Sequence, residues 1–251
     1  MYKKNNNTLI LIWLLLSIFV FPSCSKKDKI VIKEDPILKS FIAMVNRAVE
    51  GDSETNSKLS NLIDINKPIL KPQKKIIDTI RLNYDLYYYV LLQYSNPEYN
   101  RFAIYNKNFN LYLLDKSLNG EIDVQRIIKD NKVFIGIQEN YLSKNVSVLQ
   151  RYSLYTDFKN YISLVFRTFL SLTHPYGSIK QVITNFSRDT IYTEILPSKE
   201  LLENGFNKND RYNYFVFDYA KMKYVSNSDI MQKWVLKEIS NPKNFNILNN
   251  K

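Results

Sequence analysis

The feature that most constrains the fold is a series of segments with a two-residue repeat, in which successive side chains fall on opposite faces of a strand. In the stretch YDLYYYVLLQY, from Tyr84 to Tyr94, the alternation predicts a long strand that is buried on one face and partly covered on the other. Further strands are predicted at 102–106, 110–115, 133–139, 146–155, 161–172, 181–185, 190–196 and 212–219. Short turns such as Asn119-Gly120 separate them. The pattern predicts a mainly β fold with antiparallel pairing, either a sandwich or a strongly curved sheet.

Helices are predicted at both ends of this β-rich region. Asp35 and Pro36 are typical of an N-cap and a first helical residue, and apolar residues then recur at helical spacing until Gly51. A second, shorter helix is expected over 56–64. Near the C-terminus, SKELLEN predicts a short helix that stops at Gly205, and SDIMQKWVLKEI from Ser228 predicts another helix or a closing strand. Residues 35–251 are expected to form one globular domain with helices only at its edges.

The N-terminus has the layout of an export signal. Lys3 and Lys4 precede an apolar run at 9–21, and the small Ser23 follows it, which is the order of a secretory signal peptide. The apolar run is shorter than the roughly 20 residues that a membrane-spanning helix needs. Since no later segment approaches that length without charges, a multi-pass membrane protein is excluded.

Cys24 is the only cysteine in the 251 residues and stands directly after this signal. The sequence FPSC at 21–24 resembles the lipobox of bacterial lipoproteins. The resemblance implies that residues 1–23 are removed, that the Cys24 sulfur carries a diacylglycerol and that residues 24–34 form a tether to the membrane. The lack of other cysteines agrees, because an exported domain held by disulfides carries an even set. The alternative is an ordinary cleavage site or an uncleaved anchor, with Cys24 incidental.

Composition indicates where such a protein acts. The Asn- and Lys-rich, Tyr-rich and Gly-poor sequence is similar to lipoproteins of Bacteroidota, which implies anchoring at the cell envelope, in the outer membrane. Removal of residues 1–23 takes away Lys3 and Lys4 and no acid, so the net positive charge falls from 11 to nine. Because export argues against nucleic acid, the expected partner is an anionic lipid, a glycan or an envelope protein. A lysine-rich solvated surface is the simpler alternative.

No motif points to a metal or a cofactor. His174 is the only histidine, so a zinc site of the usual nitrogen and sulfur type cannot be assembled. The acids around Asn119-Gly120 lack EF-hand spacing and are expected in a solvated hairpin: Asp115, Glu121, Asp123 and Asp130. The sequence lacks a phosphate-binding glycine loop and a G-x-S-x-G motif. These observations argue against a nucleotide enzyme and against a serine hydrolase with His174 as its base.

The most specific constellation lies in two adjacent predicted strands, 146–155 and 161–172. With a turn at 156–160, four side chains share one face: Arg151, Tyr155, Tyr161 and Arg167. Arginine binds carboxylates or sulfates through paired donors, and tyrosine stacks on sugars or on partner side chains. These four residues are therefore the candidate ligand-binding set. The structural alternative is an ordinary solvent face on which the arginine stems lie over neighbouring aromatic rings and the guanidinium groups pair with nearby acids.

The sequence favours a lipid-anchored binding or interaction protein of the cell envelope, with no catalytic residues assigned. Two alternatives stay open. One is an accessory or immunity-type subunit that docks through an edge strand or an apolar patch. The other is a hydrolase of envelope polymers or glycans with a carboxylate pair, whose separation a sequence does not give. A shallow aromatic face would favour the ligand-binding protein. A flat exposed apolar patch would favour the accessory subunit, and a deep polar groove would favour the hydrolase.

Overall fold

The chain folds into two antiparallel sheets, seen in a computed structural model that describes residues 35–64, 70–142, 148–158, 161–174, 177–203 and 211–226. Helices α1 (Pro36–Val49) and α2 (Ser53–Lys58) come first. A four-stranded sheet follows, with strands β1 Lys74–Leu82, β2 Asp85–Gln93, β3 Arg101–Tyr105 and β4 Leu111–Asp115. A short 3₁₀ turn, Pro97–Tyr99, joins β2 to β3.

The second sheet has eight strands. They are β5 Glu121–Lys129, β6 Lys132–Leu142, β7 Val148–Phe158, β8 Tyr161–His174, β9 Gly177–Phe186, β10 Thr190–Pro197, β11 Tyr212–Asp218 and β12 Lys223–Ser226. A short helix, α3 (Lys199–Glu203), follows β10. Within each sheet the strands stand in sequence order, so every described neighbour pair is an antiparallel hairpin.

The predicted fold class is confirmed: the protein is mainly β, with antiparallel sheets, an N-terminal helix and a short helix late in the chain. Three edge strands were not predicted, β1, β5 and β12. The long strand predicted from Tyr84 is the second arm of the β1–β2 hairpin, and Tyr84 lies in the turn, 98% exposed. The structure also corrects the turn at Asn119-Gly120, because β4 and β5 belong to different sheets.

The helices agree with the sequence in part. Helix α1 spans the predicted segment and ends just before Gly51, which has a φ of 98°. Helix α2 begins three residues before the predicted start because the Asp52 side chain accepts hydrogen bonds from the backbone nitrogens of Glu54 and Thr55 and so caps the helix. The signal peptide, Cys24, the tether and the segment from Ser228 lie outside the described residues.

The small sheet is buried on both faces. On one face, Phe41 of α1 packs its ring 5.2 Å from that of Tyr88 and 5.3 Å from that of Tyr105. On the other face, Leu91 and Phe102 join a core that also contains residues of the large sheet. The layers in this part of the molecule are therefore helices, small sheet and the first strands of the large sheet.

The large sheet is strongly curled. In a flat sheet, β6 and β11 would be about 24 Å apart, because neighbouring strands are spaced by about 4.8 Å. The Nζ of Lys132 on β6 nevertheless lies 5.6 Å from the ring of Phe217 on β11, and 4.5 Å from that of Phe158. The rings of Phe166 on β8 and Phe215 on β11 are 4.9 Å apart. The later strands thus fold over a second core on the opposite face from the small sheet.

Gly177 is tightly enclosed at the start of β9. Its φ is 140°, and a Cβ there would lie 2.8 Å from Ser198 Oγ and 2.9 Å from both the backbone nitrogen and the Cβ of Leu201 in α3. We expect Gly177→Ala to lower the free energy of unfolding by about 1–3 kcal/mol through strain and overpacking. Urea denaturation of the full chain measures this. Lys180→Ala, an exposed change on the same strand, should stay within about 0.5 kcal/mol, and equal effects would contradict the prediction.

Candidate functional site

The segment that joins the two sheets is held by an unusual set of polar side chains. Strand β4 ends at Asp115 and β5 begins at Glu121, so residues 116–120 carry the chain from one sheet to the other. We call residues 115–120 the connector. Side chains from β6, β7 and β8 contact it from the large sheet. The candidate ligand-binding residues of the sequence lie here.

Arg151 and Glu139 form a buried ion pair under the connector. They are directly opposite each other on β7 and β6, and neither side chain has any exposed surface. Arg151 donates from Nε to Glu139 Oε2 at 2.7 Å and from Nη2 to Oε1 at 2.5 Å, which is a two-pronged contact. Arg151 Nη2 also donates to the carbonyl oxygen of Ser117 at 2.6 Å, and the backbone nitrogen of Asn119 donates to Glu139 Oε1 at 2.7 Å. The pair therefore holds the connector backbone at two points.

Arg167 forms a second group of contacts nearer the surface. Its Nη2 donates to Asp115 Oδ2 and its Nη1 to Ser117 Oγ, both at 3.0 Å, while its Nε donates to Ser153 Oγ at 2.9 Å. The hydroxyl of Tyr155 donates to the same oxygen of Asp115. The side chains of Arg167 and Asp115 are 14% and 11% exposed. The end of β4 is thus fixed to β7 and β8 by one carboxylate.

Burial and charge act in opposite directions on Asp115. Burial favours its neutral form, but the Arg167 charge and hydrogen bonds from Ser117 and Tyr155 hold the pKa of Asp115 below its usual value. On Tyr155, burial first and the Asp115 charge second raise the pKa well above its usual value. At neutral pH Asp115 is therefore ionised and accepts the hydrogen bond, whereas Tyr155 keeps its proton and donates it.

The structure brings together three of the four predicted ligand-binding residues. Arg151, Tyr155 and Arg167 meet at the connector, in the interior, so the expected open binding surface is absent at Arg151 and Tyr155, which are both fully buried. Their donors contact the carboxylates of Glu139 and Asp115 and the carbonyl oxygen of Ser117. The arginines thus pair with nearby acids as in the structural alternative, but in the interior and not on a solvent face. Asp115 is likewise not in a solvated hairpin. Ligand binding by these residues stays a prediction.

Tyr161 is the residue that the structure separates from the other three. The pairing of β7 with β8 shifts at Tyr155, which lies opposite Leu164, while Leu154 lies opposite Phe166, so Val165 is an extra residue. This bulge reverses the faces of the first residues of β8. Tyr161 therefore lies opposite Phe158, with 5.8 Å between ring centroids, on the face away from Tyr155, and is 48% exposed.

A second surface, which sequence reasoning missed, lies on the outer face of the curled sheet. Strands β9, β10 and β11 alternate there between core residues and more exposed ones, and five of the exposed positions hold aromatic or aliphatic side chains. We call this set the tyrosine face: Val182, Tyr192, Tyr212, Tyr214 and Val216. The signal was visible in TIYTEIL and YNYFVFD, where Tyr192, Tyr212 and Tyr214 stand at exposed positions that alternate with buried ones.

The tyrosines of this face come together across β10 and β11. Tyr192 and Tyr214 are directly opposite each other, with 6.1 Å between ring centroids, and are 47% and 40% exposed. Tyr212 lies opposite Glu194 and is 70% exposed. Arg211 places its guanidinium 5.5 Å from the centre of the Tyr212 ring and its Nη2 2.6 Å from Glu194 Oε1. The result is an exposed aromatic surface that includes one ion pair, because Glu194 lies between Val182 on β9 and Tyr212 on β11.

Two carboxylates that a glycan hydrolase could have used are engaged elsewhere in the structure. Asp157 accepts a hydrogen bond from the Asn83 side-chain amide, and Asp218 forms an ion pair with Lys221. Within the described ranges, no three His, Cys, Asp or Glu side chains group in a way that could hold a metal ion. His174 is the last residue of β8, and its side chain is not among those that the structure describes. No helix in the described part of the chain is long and apolar enough to cross a membrane.

Comparison with protein-family models, curated proteins and solved structures finds no match to this chain.

The buried pair at the connector gives a stability prediction. Arg151→Met or Glu139→Leu alone should lower the free energy of unfolding by about 3–5 kcal/mol, because each leaves one buried charge without its partner. The double variant should be more stable than either single variant, because no buried charge is left. Urea denaturation measures all three.

The matched control is the exposed pair Lys58 and Glu54 on α2. Lys58→Ala should change the free energy of unfolding by at most about 1 kcal/mol. Additive losses in the Arg151 and Glu139 double variant would contradict the proposed coupling.

Proposed function

We propose that this protein is a lipid-anchored binding protein of the bacterial cell envelope that holds a protein partner on its tyrosine face. The lipid anchor is the diacylglycerol on Cys24 that the lipobox resemblance implies. The tyrosine face is the observation that carries the binding role. Catalysis is not part of the proposal.

The anchor is supported by the N-terminal sequence. The order of Lys3 and Lys4, an apolar run, Ser23 and a lone cysteine is that of a lipoprotein leader. Acyl chains contribute roughly 0.8 kcal/mol for each buried methylene, so two or three chains hold a folded domain firmly at a membrane. A positive net charge also suits a membrane surface that carries anionic lipids.

The binding role is supported by what the tyrosine face exposes. Tyrosine and arginine are enriched in protein interfaces, and a tyrosine supplies a large contact area while losing little side-chain entropy. Tyr192 and Tyr214 stand side by side on a sheet, and Arg211 is already oriented by Glu194. A protein partner matches this open, shallow surface better than a small molecule, which needs a concave pocket. A glycan is the competing occupant.

The anchor is tested by Cys24→Ser in a bacterium that processes lipoproteins. The native chain should lose residues 1–23, gain the mass of its acyl chains and fractionate with membranes. The Cys24→Ser variant should do none of these. Intact mass and membrane partition are the measurements. Ser25→Ala, which keeps the cysteine, is the matched control. Native protein that stays unmodified and soluble would show that Cys24 is incidental.

The binding surface is tested by site-specific photo-crosslinking in the cells that make the protein. A photoreactive phenylalanine analogue at position 214 should give a discrete adduct with one protein. Tyr192→Ala in the same chain should reduce its yield by about tenfold or more, as expected for the loss of a central aromatic contact. Intact mass and peptide sequencing identify the adduct.

The matched control places the analogue at position 84, since Tyr84 is 98% exposed at an isolated turn of the other sheet. It should give no such adduct. Equal adducts from both positions would overturn the proposal, and an adduct with glycan alone would assign the face to the competing occupant.

A further inference from the structure

The dipeptide Asn119-Gly120 lies in the connector, just before β5 begins. An asparagine side chain can react with the backbone nitrogen of the next residue, and glycine favours this reaction because it has no side chain to shield that nitrogen. The reaction requires the nitrogen to reach the carboxamide carbon of the asparagine. The geometry of these two residues therefore decides whether the reaction can occur in the folded chain.

The two reacting groups are already in contact. The backbone nitrogen of Gly120 donates to Oδ1 of Asn119 at 2.8 Å, so the carboxamide is folded over the next peptide bond. No backbone carbonyl of the described residues accepts from this nitrogen. Gly120 has a φ of 64°, in the left-handed region that glycine adopts without strain. The nitrogen and the carboxamide are therefore held next to each other by the fold.

The surroundings also allow the leaving group to depart. Asn119 is partly exposed, and among the described residues its side-chain nitrogen donates no hydrogen bond. The Gly120 nitrogen loses its proton and bonds to Cγ of Asn119, and the side-chain nitrogen leaves as ammonia, which closes a five-membered succinimide. Water then opens the ring at either carbonyl. One product is aspartate, and the other is isoaspartate, in which the main chain runs through Cβ.

Isoaspartate lengthens the connector where both of its ends are fixed. The backbone nitrogen of Asn119 donates to Glu139 Oε1 at 2.7 Å, and Glu121 lies opposite Asn140 on β6. An extra main-chain atom between these two points must displace one of them. If the bond from residue 119 is lost, the buried carboxylate of Glu139 loses one of the contacts that compensate for its removal from water.

We propose that Asn119-Gly120 is a site of spontaneous deamidation and isomerisation in the folded protein, and that isoaspartate at position 119 weakens the junction between the two sheets. The modification needs time and water but no enzyme. It is independent of the tyrosine face and of the lipid anchor.

The first test follows residue 119 by peptide mapping and mass spectrometry while the full chain is kept in neutral detergent and a mildly alkaline buffer. The chain carries Asn204→Gln, which removes the second Asn-Gly dipeptide of the sequence. Asn119 should gain the mass difference between an amide and an acid and give two products that chromatography separates.

Asn131 is the matched control, because it is exposed at the turn between β5 and β6 and is followed by a lysine. It should convert at least about tenfold more slowly than Asn119. Equal rates at the two positions, or conversion of Asn119 in the urea-unfolded chain but not in the folded one, would overturn the proposed site.

The second test compares the aged chain before and after enzymatic repair. L-isoaspartyl methyltransferase with S-adenosylmethionine converts isoaspartate to aspartate. Ageing should lower the urea midpoint of unfolding, and repair should return it to that of unaged Asn119→Asp, which has the same side chain on an ordinary main chain. Asn119→Gln, whose longer side chain does not close the five-membered ring, should show no loss on ageing. An aged chain rich in isoaspartate with an unchanged midpoint, or an equal loss in Asn119→Gln, would overturn the proposed weakening.

Discussion

The ion pair between Arg151 and Glu139 is the contact on which the arrangement of the two sheets depends. Both side chains are fully buried, and removing such charges from water costs several kcal/mol for each ion unless the geometry compensates. Here two parallel hydrogen bonds join the pair, and each partner also forms a hydrogen bond with the connector backbone. The bonds to the connector form only when residues 115–120 cross between the sheets at this point. The pair therefore favours this crossing.

The curl of the large sheet follows from a different set of forces. Its first strands are covered by the small sheet, whereas the later strands, among the described residues, bury their inner face against each other. Aromatic rings from distant strands meet inside, and the aliphatic stem of Lys132 brings its ammonium against three phenylalanine rings. Bulges at Arg151, Tyr155 and Thr193 increase the local twist that such closure needs.

The same curl places the proposed binding surface on one side of the large sheet. The tyrosine face lies on the outer side of β9, β10 and β11, whose inner side belongs to the aromatic core. The small sheet is packed on both faces and contributes to the core that it shares with the first strands of the large sheet. The lipid anchor and the binding surface can therefore be tested separately.

The sequence by itself determined the class of fold, because period-two alternation and short turns admit little besides antiparallel strands, and because Pro36 and Gly51 bound a helix through backbone geometry alone. It could not reveal the edge strand β1, where the adjacent Ile76 and Ile77, between the exposed Lys75 and Asp78, interrupt the alternation. The candidate set of Arg151, Tyr155 and Arg167 was recognisable as a cluster because strand pairing is local.

Only the tertiary structure decided what that cluster does. The acids that meet the two arginines are Glu139, 12 positions before Arg151, and Asp115, 52 positions before Arg167. The extra residue Val165, which moves Tyr161 to the opposite face, has no signature in the pattern of side chains. Burial depends on which segments stack on one another, and that is a property of the whole chain rather than of any stretch of it. For this reason the residues expected on an open binding face, Arg151 and Tyr155, lie in the interior at the connector. The exposed aromatic surface is formed instead by the tyrosines of β10 and β11.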